Sequence, residues 1–224
     1  MFSSVKSRSV SPFNIRSFEY VGTSSRNHGS NQSSYTFNNI SLGSTYPRTF
    51  LVISCAIFEI NSANNVNTAT VTIDGQNATV IVPEPTGGES NSHNSIHLLP
   101  VSNKTSISSL TIVPEDPSLS FAYGLWKMKV IRQTSNVLDF NGNNAAAGIV
   151  KTLTSVEGGA ALSTLLNVNG SSTLSATNGV QNFFYDIRSG ENFAGLTVYP
   201  TSSGTVEFTY TTSVSLSIPA VTFF

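Results

Sequence analysis

The chain is short of charge, of cysteine and of long apolar runs, and each shortage removes a class of protein. Only 10% of its 224 residues are charged, with 11 basic side chains against 12 acidic ones. So sparse and balanced a surface has no electrostatic footprint for a phosphate backbone or an anionic bilayer, and no nucleic-acid partner is expected. The single cysteine, Cys55, excludes an intrachain disulfide. It lies inside an apolar run, where a small core residue is expected; a reactive thiol needs an exposed, electropositive setting. The longest apolar run, residues 50–58, is far shorter than the roughly 20 residues of a membrane-crossing helix, so no membrane insertion is expected. Residues 1–14 hold Lys6 and Arg8 without an apolar segment, which is not the pattern of a secretory signal. They read as an extended polar N-terminal arm, either frayed or laid across a neighbouring subunit.

Motifs of nucleophilic and phosphate chemistry are missing too. There is no Gly-x-Ser-x-Gly elbow, and no glycine-rich phosphate loop follows a strand. His93 and His97 stand four apart, a zinc-binding spacing on a helix, but residues 91–99 read as loop then strand, where the two rings need not converge. With Glu84 and Glu89 nearby, the donors for a metal are present without the scaffold. The carboxylate pairs Glu84/Glu89 and Glu115/Asp116, of the kind glycoside hydrolysis uses, sit in turn-like segments. No catalytic residue, cofactor or metal ligand is therefore expected, and the chain does not read as an enzyme.

What is present is strand. Apolar residues make up 39% of the chain and aromatics 10%, enough for a packed core, and Ser, Thr and Asn supply a neutral soluble surface. The run Phe-Leu-Val-Ile-Ser-Cys-Ala-Ile-Phe at 50–58 is apolar on both faces, as a central strand covered on both sides must be. Around it come short pieces at 18–21, 35–37, 68–73, 77–82, 96–99, 110–113 and 121–131, with Asp74-Gly75 the strongest hairpin signal. In the last of these Trp126, Met128 and Val130 share a core face, so Lys127 and Lys129 point to water or to a partner. Later strands are expected at 149–156, 160–168, 181–187, 196–199, 205–211 and 214–223. Two polar loops stand out: 22–34, with Arg26 and His28, and 84–94, with Glu84, Glu89 and His93. The terminal Phe223 and Phe224 are expected in a second core or on a neighbouring subunit, because a free apolar end is costly.

The segment order echoes itself at domain scale: an apolar strand, a turn, an alternating strand, a strand ending in proline (Pro100, Pro200), and two more strands. The fold expected is all-β, with two tandem antiparallel β-sandwiches, jelly-roll-like, at 15–134 and 135–224 behind the arm.

Three stretches carry a family likeness: Tyr35-Thr36-Phe37 running to Leu42-Gly43, Arg48 ahead of the central strand, and Val71-Thr72-Ile73-Asp74-Gly75 leading to Ala78-Thr79. Together they resemble a β-sandwich module of structural proteins in tailed-bacteriophage virions. The resemblance covers residues 15–132 and, more weakly, 137–224. It implies a virion protein made in the host cytoplasm, without fixing one place on the virion; the placement expected first is the tail apparatus, as fibre, baseplate or adaptor. Capsid decoration and a host receptor- or glycan-binding module are the alternatives. Its partners would be other copies of itself and other virion proteins, with host surface glycan for the last alternative. The candidate contacts are Arg26, His28, Glu84, Glu89, His93, Lys127, Lys129, Phe223 and Phe224, with Tyr46, Tyr123 and Tyr185 as aromatic candidates for a sugar.

Overall fold

A computed structural model describes residues 15–58, 69–83, 92–115, 117–130, 137–141, 150–168, 173–188, 191–211 and 216–224. Every regular element among them is a strand, and the strands form four antiparallel sheets. The apolar run forms β3 (Thr49–Phe58). It pairs with β7 (Ser92–Val101) on one side and β9 (Ser118–Val130) on the other, in unbroken register from Thr49 to Phe58. Leu51, Ile53, Cys55 and Ile57 enter one core, while Val52, Ala56 and Phe58 enter another. Double-sided burial is what the lack of polar alternation encodes. Two edge strands, β1 (Ile15–Gln32) and β6 (Thr79–Val82), complete the sheet in the order β1-β9-β3-β7-β6.

Strand β1 corrects the reading of residues 22–34 as a loop. Its polar half continues the ladder on β9, from Gly22 opposite Leu125 to Asn27 opposite Ser120, with irregularities near Ser17, Gly22 and Gln32. An edge strand with its backbone satisfied on one side needs no apolar alternation, so the pattern that marks inner strands is absent here.

A second sheet of the first half contains β2 (Tyr35–Ser41), β4 (Ala69–Ile73), β5 (Gln76–Asn77) and β8 (Ser106–Pro114), ordered β2-β8-β4-β5. Asp74 and Gly75 turn the β4–β5 hairpin with φ of 49° and 79°, the left-handed pair expected of a tight turn. The chain then changes sheets at Ala78: β5 pairs with β4, and β6 pairs with β7.

The second half contributes β10 (Val137–Asn141), β11 (Val150–Ser155), β12 (Ala160–Val168), β13 (Thr173–Ala176), β14 (Gly179–Arg188), β15 (Glu191–Val198), β16 (Gly204–Thr211), β17 (Leu216–Ser217) and β18 (Ala220–Phe223). Its sheets run β10-β18-β12-β15-β14, with β17 also beside β12, and β11-β16-β13. Count β5 and β6 as one broken strand and β17 as a spur of β18. Both halves then place their first, eighth, third and sixth strands in one sheet and their second, seventh and fourth in the other. That is the jelly-roll order.

The layers stack outer, inner, inner, outer. One core lies between the outer and inner sheets of the first half, around Leu51, Val71, Leu110 and Phe121. Its counterpart in the second half gathers Leu153, Leu165, Leu196 and Phe208. A third core lies between the two inner sheets, where Val52, Trp126 and Met128 meet Leu162, Phe183 and Phe193. The apposition is reciprocal, with β1 against β14 and β6 against β10. The boundary expected at 134/135 lies outside the described residues.

Candidate interaction surfaces

The shared core is tied by polar contacts as well as apolar ones. Trp126 Nε1 donates to Asn182 Oδ1 at 2.9 Å, and Tyr199 OH donates to the Phe18 carbonyl at 2.6 Å. Between the inner sheets Ser54 Oγ donates to Asn94 Oδ1 at 2.8 Å, and Asn94 Nδ2 donates to Thr164 Oγ1 at 3.0 Å. Three buried polar residues from β3, β7 and β12 so satisfy one another, which fixes how the halves are set against each other.

The expected contact residues scatter. Arg26 is exposed on β1 and donates from Nε to Tyr35 OH at 2.8 Å; His28, half-buried, has its ring 5.0 Å from that of Tyr35. Lys127 is held by Glu19 at 3.3 Å and by the Ser44 carbonyl at 3.1 Å. Lys129 Nζ stands 3.3 Å above the ring of Tyr46. These two lysines emerge beyond the outer sheet, past buried Leu125, and satisfy themselves within the chain. His93 is not on a loop surface: it is buried in β7, which starts at Ser92, earlier than expected. Phe223 is buried in the shared core, 5.6 Å from Phe18, and Phe224 is half-buried. Phe223 thus closes the joint between the halves rather than a core of the second half alone. Glu84 and Glu89 lie outside the described residues, as does Asp116.

His93 and His97 point to the same face of β7, but a strand's rise of about 3.3 Å per residue sets their positions roughly 13 Å apart. Among the described residues no group of three or more His, Cys, Asp or Glu could hold a metal. Ser95 Oγ and His97 Nε2 are 2.8 Å apart, the spacing of a hydroxyl and its base. Both are buried, and burial lowers the His97 pKa to about 4, so its ring is a neutral core group at ordinary pH. In the second half Lys151 is buried with Nζ 2.6 Å from the Ile218 carbonyl, and burial lowers its pKa to about 7.

Open concave surface occurs in the second half and at the joint. Tyr199, at the end of β15, separates two clefts. One, of about 230 Å³, is lined by Asn178, Pro200, Thr205 and Glu207 among others. The other, of about 290 Å³, is lined by Arg16, Ser17, Phe18, Gly158 and Gly159. Of the tyrosines singled out for a sugar, Tyr46 lies under Lys129 and Tyr123 is buried against Phe37 at 4.8 Å. Tyr185 is exposed on the edge strand β14, on the same face as Phe183, while neighbouring Phe184 is exposed on the opposite face. Sequence reasoning missed Tyr199 because it read the residue as the tail of a strand. The Tyr-Pro pair that ends β15 was its visible signal.

These features define a protein of two jelly-roll-ordered sandwiches joined through a third core. Comparison with protein-family models, with curated proteins and with solved structures found no match.

Proposed function

We propose that this chain is a structural protein of a bacteriophage virion, assembling with copies of itself and with other virion proteins. The observation that carries the reading is the doubled jelly-roll order fused through a common core. Jelly-roll sandwiches recur in capsid and lectin proteins, a fold-level analogy. A block with three cores in series suits a building part, since it resists bending between its halves. The surface supports the reading as well: few charges, neutral hydrogen-bonding groups, and an edge strand, β14, with Val180, Phe184 and Tyr185 exposed on its two faces. The tail apparatus, as fibre, baseplate or adaptor, is the placement proposed first, and capsid decoration second. A host-receptor role through residues 22–34 loses its loop, because that segment is mostly β1.

Electron microscopy of particles carrying a label on this protein tests the reading. Density on the tail supports the first placement and density on the head the second. A chain absent from purified particles overturns both. Solution mass separates a monomeric decoration unit from an oligomeric tail component.

A further inference from the structure

We infer that the paired clefts about Tyr199 form a saccharide site, taking an uncharged sugar residue beside Glu207 and a second residue on the Arg16 side. The inference goes beyond the virion reading and does not depend on it.

Tyr199 is 44% exposed, yet its hydroxyl is bound to the Phe18 carbonyl at 2.6 Å. The phenol is therefore anchored at its tip while a large part of the residue stays open to solvent. An aromatic side chain held this way is prepaid in conformational entropy, which favours binding over an equally exposed but swinging ring. Sugars present C–H surfaces to arenes and hydroxyls to amides and carboxylates, so the groups around the ring matter.

On one side they are Asn178, Thr205 and Glu207. Asn178 is held at φ 59° in the β13–β14 turn, and Glu207 points outward from β16 between buried Val206 and Phe208. An amide, a hydroxyl and a carboxylate make a set that both donates and accepts, as a ring of hydroxyls requires. The only charge lining this cleft is negative, which disfavours phosphate, sulfate or an acidic sugar there. On the other side Gly158, at φ 73°, and Gly159 bring bare backbone to the cleft next to Arg16. Ligand pockets commonly run about 300–1,000 Å³, so each cleft, at about 230 and 290 Å³, is of a size for a single sugar residue. A ligand spanning Tyr199 uses both.

The test is an array of neutral and acidic oligosaccharides, followed by titration of ¹⁵N-labelled protein with the neutral disaccharides that score. Saturable shifts at Asn178, Tyr199 and Glu207 are expected. Y199A should weaken binding about tenfold or more, as loss of a central aromatic anchor does. E207Q, which touches only the rim of the fold, should weaken it about threefold or more while leaving thermal unfolding unchanged. Y199F keeps the ring and frees its tip, so it should fall between wild type and Y199A. No saturable binding on the array overturns the inference, and so does binding confined to sialylated or sulfated glycans. Binding that survives both Y199A and E207Q also overturns it. Particle localisation is read separately, so a chain that binds sugar but is absent from virions would remove the virion proposal and leave this site standing.

Discussion

The two halves share a strand order and fill it differently. In the first half the sheet next to the joint is built on long strands that mix large and small side chains, with Phe58, Trp126 and Met128 beside Ala56 and Ala122. β3 and β9 are continuous, ten and thirteen residues long, and the fifth strand is split between sheets at Ala78. In the second half β12 and β15 carry small residues as well, Ala160 and Ala161 in the one and Ala194 and Gly195 in the other. There the fifth strand, β14, stays wholly in the inner sheet, and the last strand is interrupted ahead of Ala220 at Pro219. One topology therefore tolerates two placements of its fifth strand, and a glycine on each side of the joint, Gly124 in the first half and Gly195 in the second, leaves room for one aromatic plug. Phe183 is the plug: its ring lies in the shared core against Tyr20, Trp126 and Phe193, at centroid distances of 5.8, 5.9 and 4.9 Å.

The comparison breaks most completely if the plug is removed. Phe183→Ala should cost about 3–5 kcal/mol, the range for deleting a buried aromatic. Because its partners come from both halves, hydrogen exchange should rise in β2 and in β13 together. Protection lost only in the second half would show that the halves are separable. Next in size is Gly195→Ala. A Cβ there would lie 2.4 Å from the Phe183 ring, and one at Gly124 would lie 2.7 Å away on the opposite side. Overpacking of this kind costs about 1–3 kcal/mol. Urea unfolding of Gly195→Ala alone and combined with Phe183→Leu should show part of that loss restored by the smaller plug.

Each half also buries a base whose pKa burial lowers, His97 in the first and Lys151 in the second, and the two divide the pH scale. His97 titrates near 6.5 when unfolded and at about 4 when folded. Between those values the unfolded chain binds the extra proton, so this group's share of stability is complete above pH 6.5 and is lost as pH falls toward 4. Lys151 goes from 10.5 unfolded to about 7 folded. By the same sign, stability falls as pH drops from 10.5 to 7 and levels off below. The slope from either group is at most about 1.4 kcal/mol per pH unit. His97→Gln should flatten the acid limb alone, and Lys151→Met the alkaline limb alone, in urea midpoints measured across pH. A variant that altered both limbs would mean the two bases are coupled through the shared core.

How far the architecture could be read from residues follows the same division. β3 was legible because a nine-residue run interrupted only by Ser54 leaves no solvent face, and β16 because Val206, Phe208 and Tyr210 alternate with exposed neighbours. β12 was legible from Ala160 to Val168. By contrast β13 exposes every other position and buries only Leu174 fully, a signal indistinguishable from a Ser-rich turn. β10 is a five-residue strand in a stretch that read as the join between halves. The third core was invisible for a different reason: alternation tells which face of a strand is buried, never what lies against it. The same limit applies to the surface. Lys127 and Lys129 were placed on the correct side, but their intramolecular partners Glu19, Ser44 and Tyr46 come from distant sequence. The anchoring of Tyr199 by Phe18 spans 181 residues.

The smallest expected effect concerns the turns. Asp74-Gly75 in the first half and Thr177-Asn178 in the second both join the outer strand to the fifth, and both use left-handed backbone, with φ of 49° at Asp74 and 59° at Asn178. Only Asp74 is tied beyond its own turn: its carboxylate accepts from the Ser108 and Ser109 amides at 2.8 and 3.0 Å and from Lys104 Nζ at 2.8 Å. The Lys104 hydrogen bond is the largest cause holding its pKa below the usual 3.8. Its share of stability is present above that value and is lost on acidification through the folded pKa. Asp74→Asn keeps the turn preference and a neutral acceptor while deleting the charge, so the loss should be under about 1 kcal/mol and should shrink in high salt. Asn178→Asp in the other half introduces the charge without a lysine to meet it, and should gain nothing. If the two exchanges shifted urea midpoints equally, the carboxylate at Asp74 would be serving only as a turn residue, and the asymmetry between the halves would end at their cores.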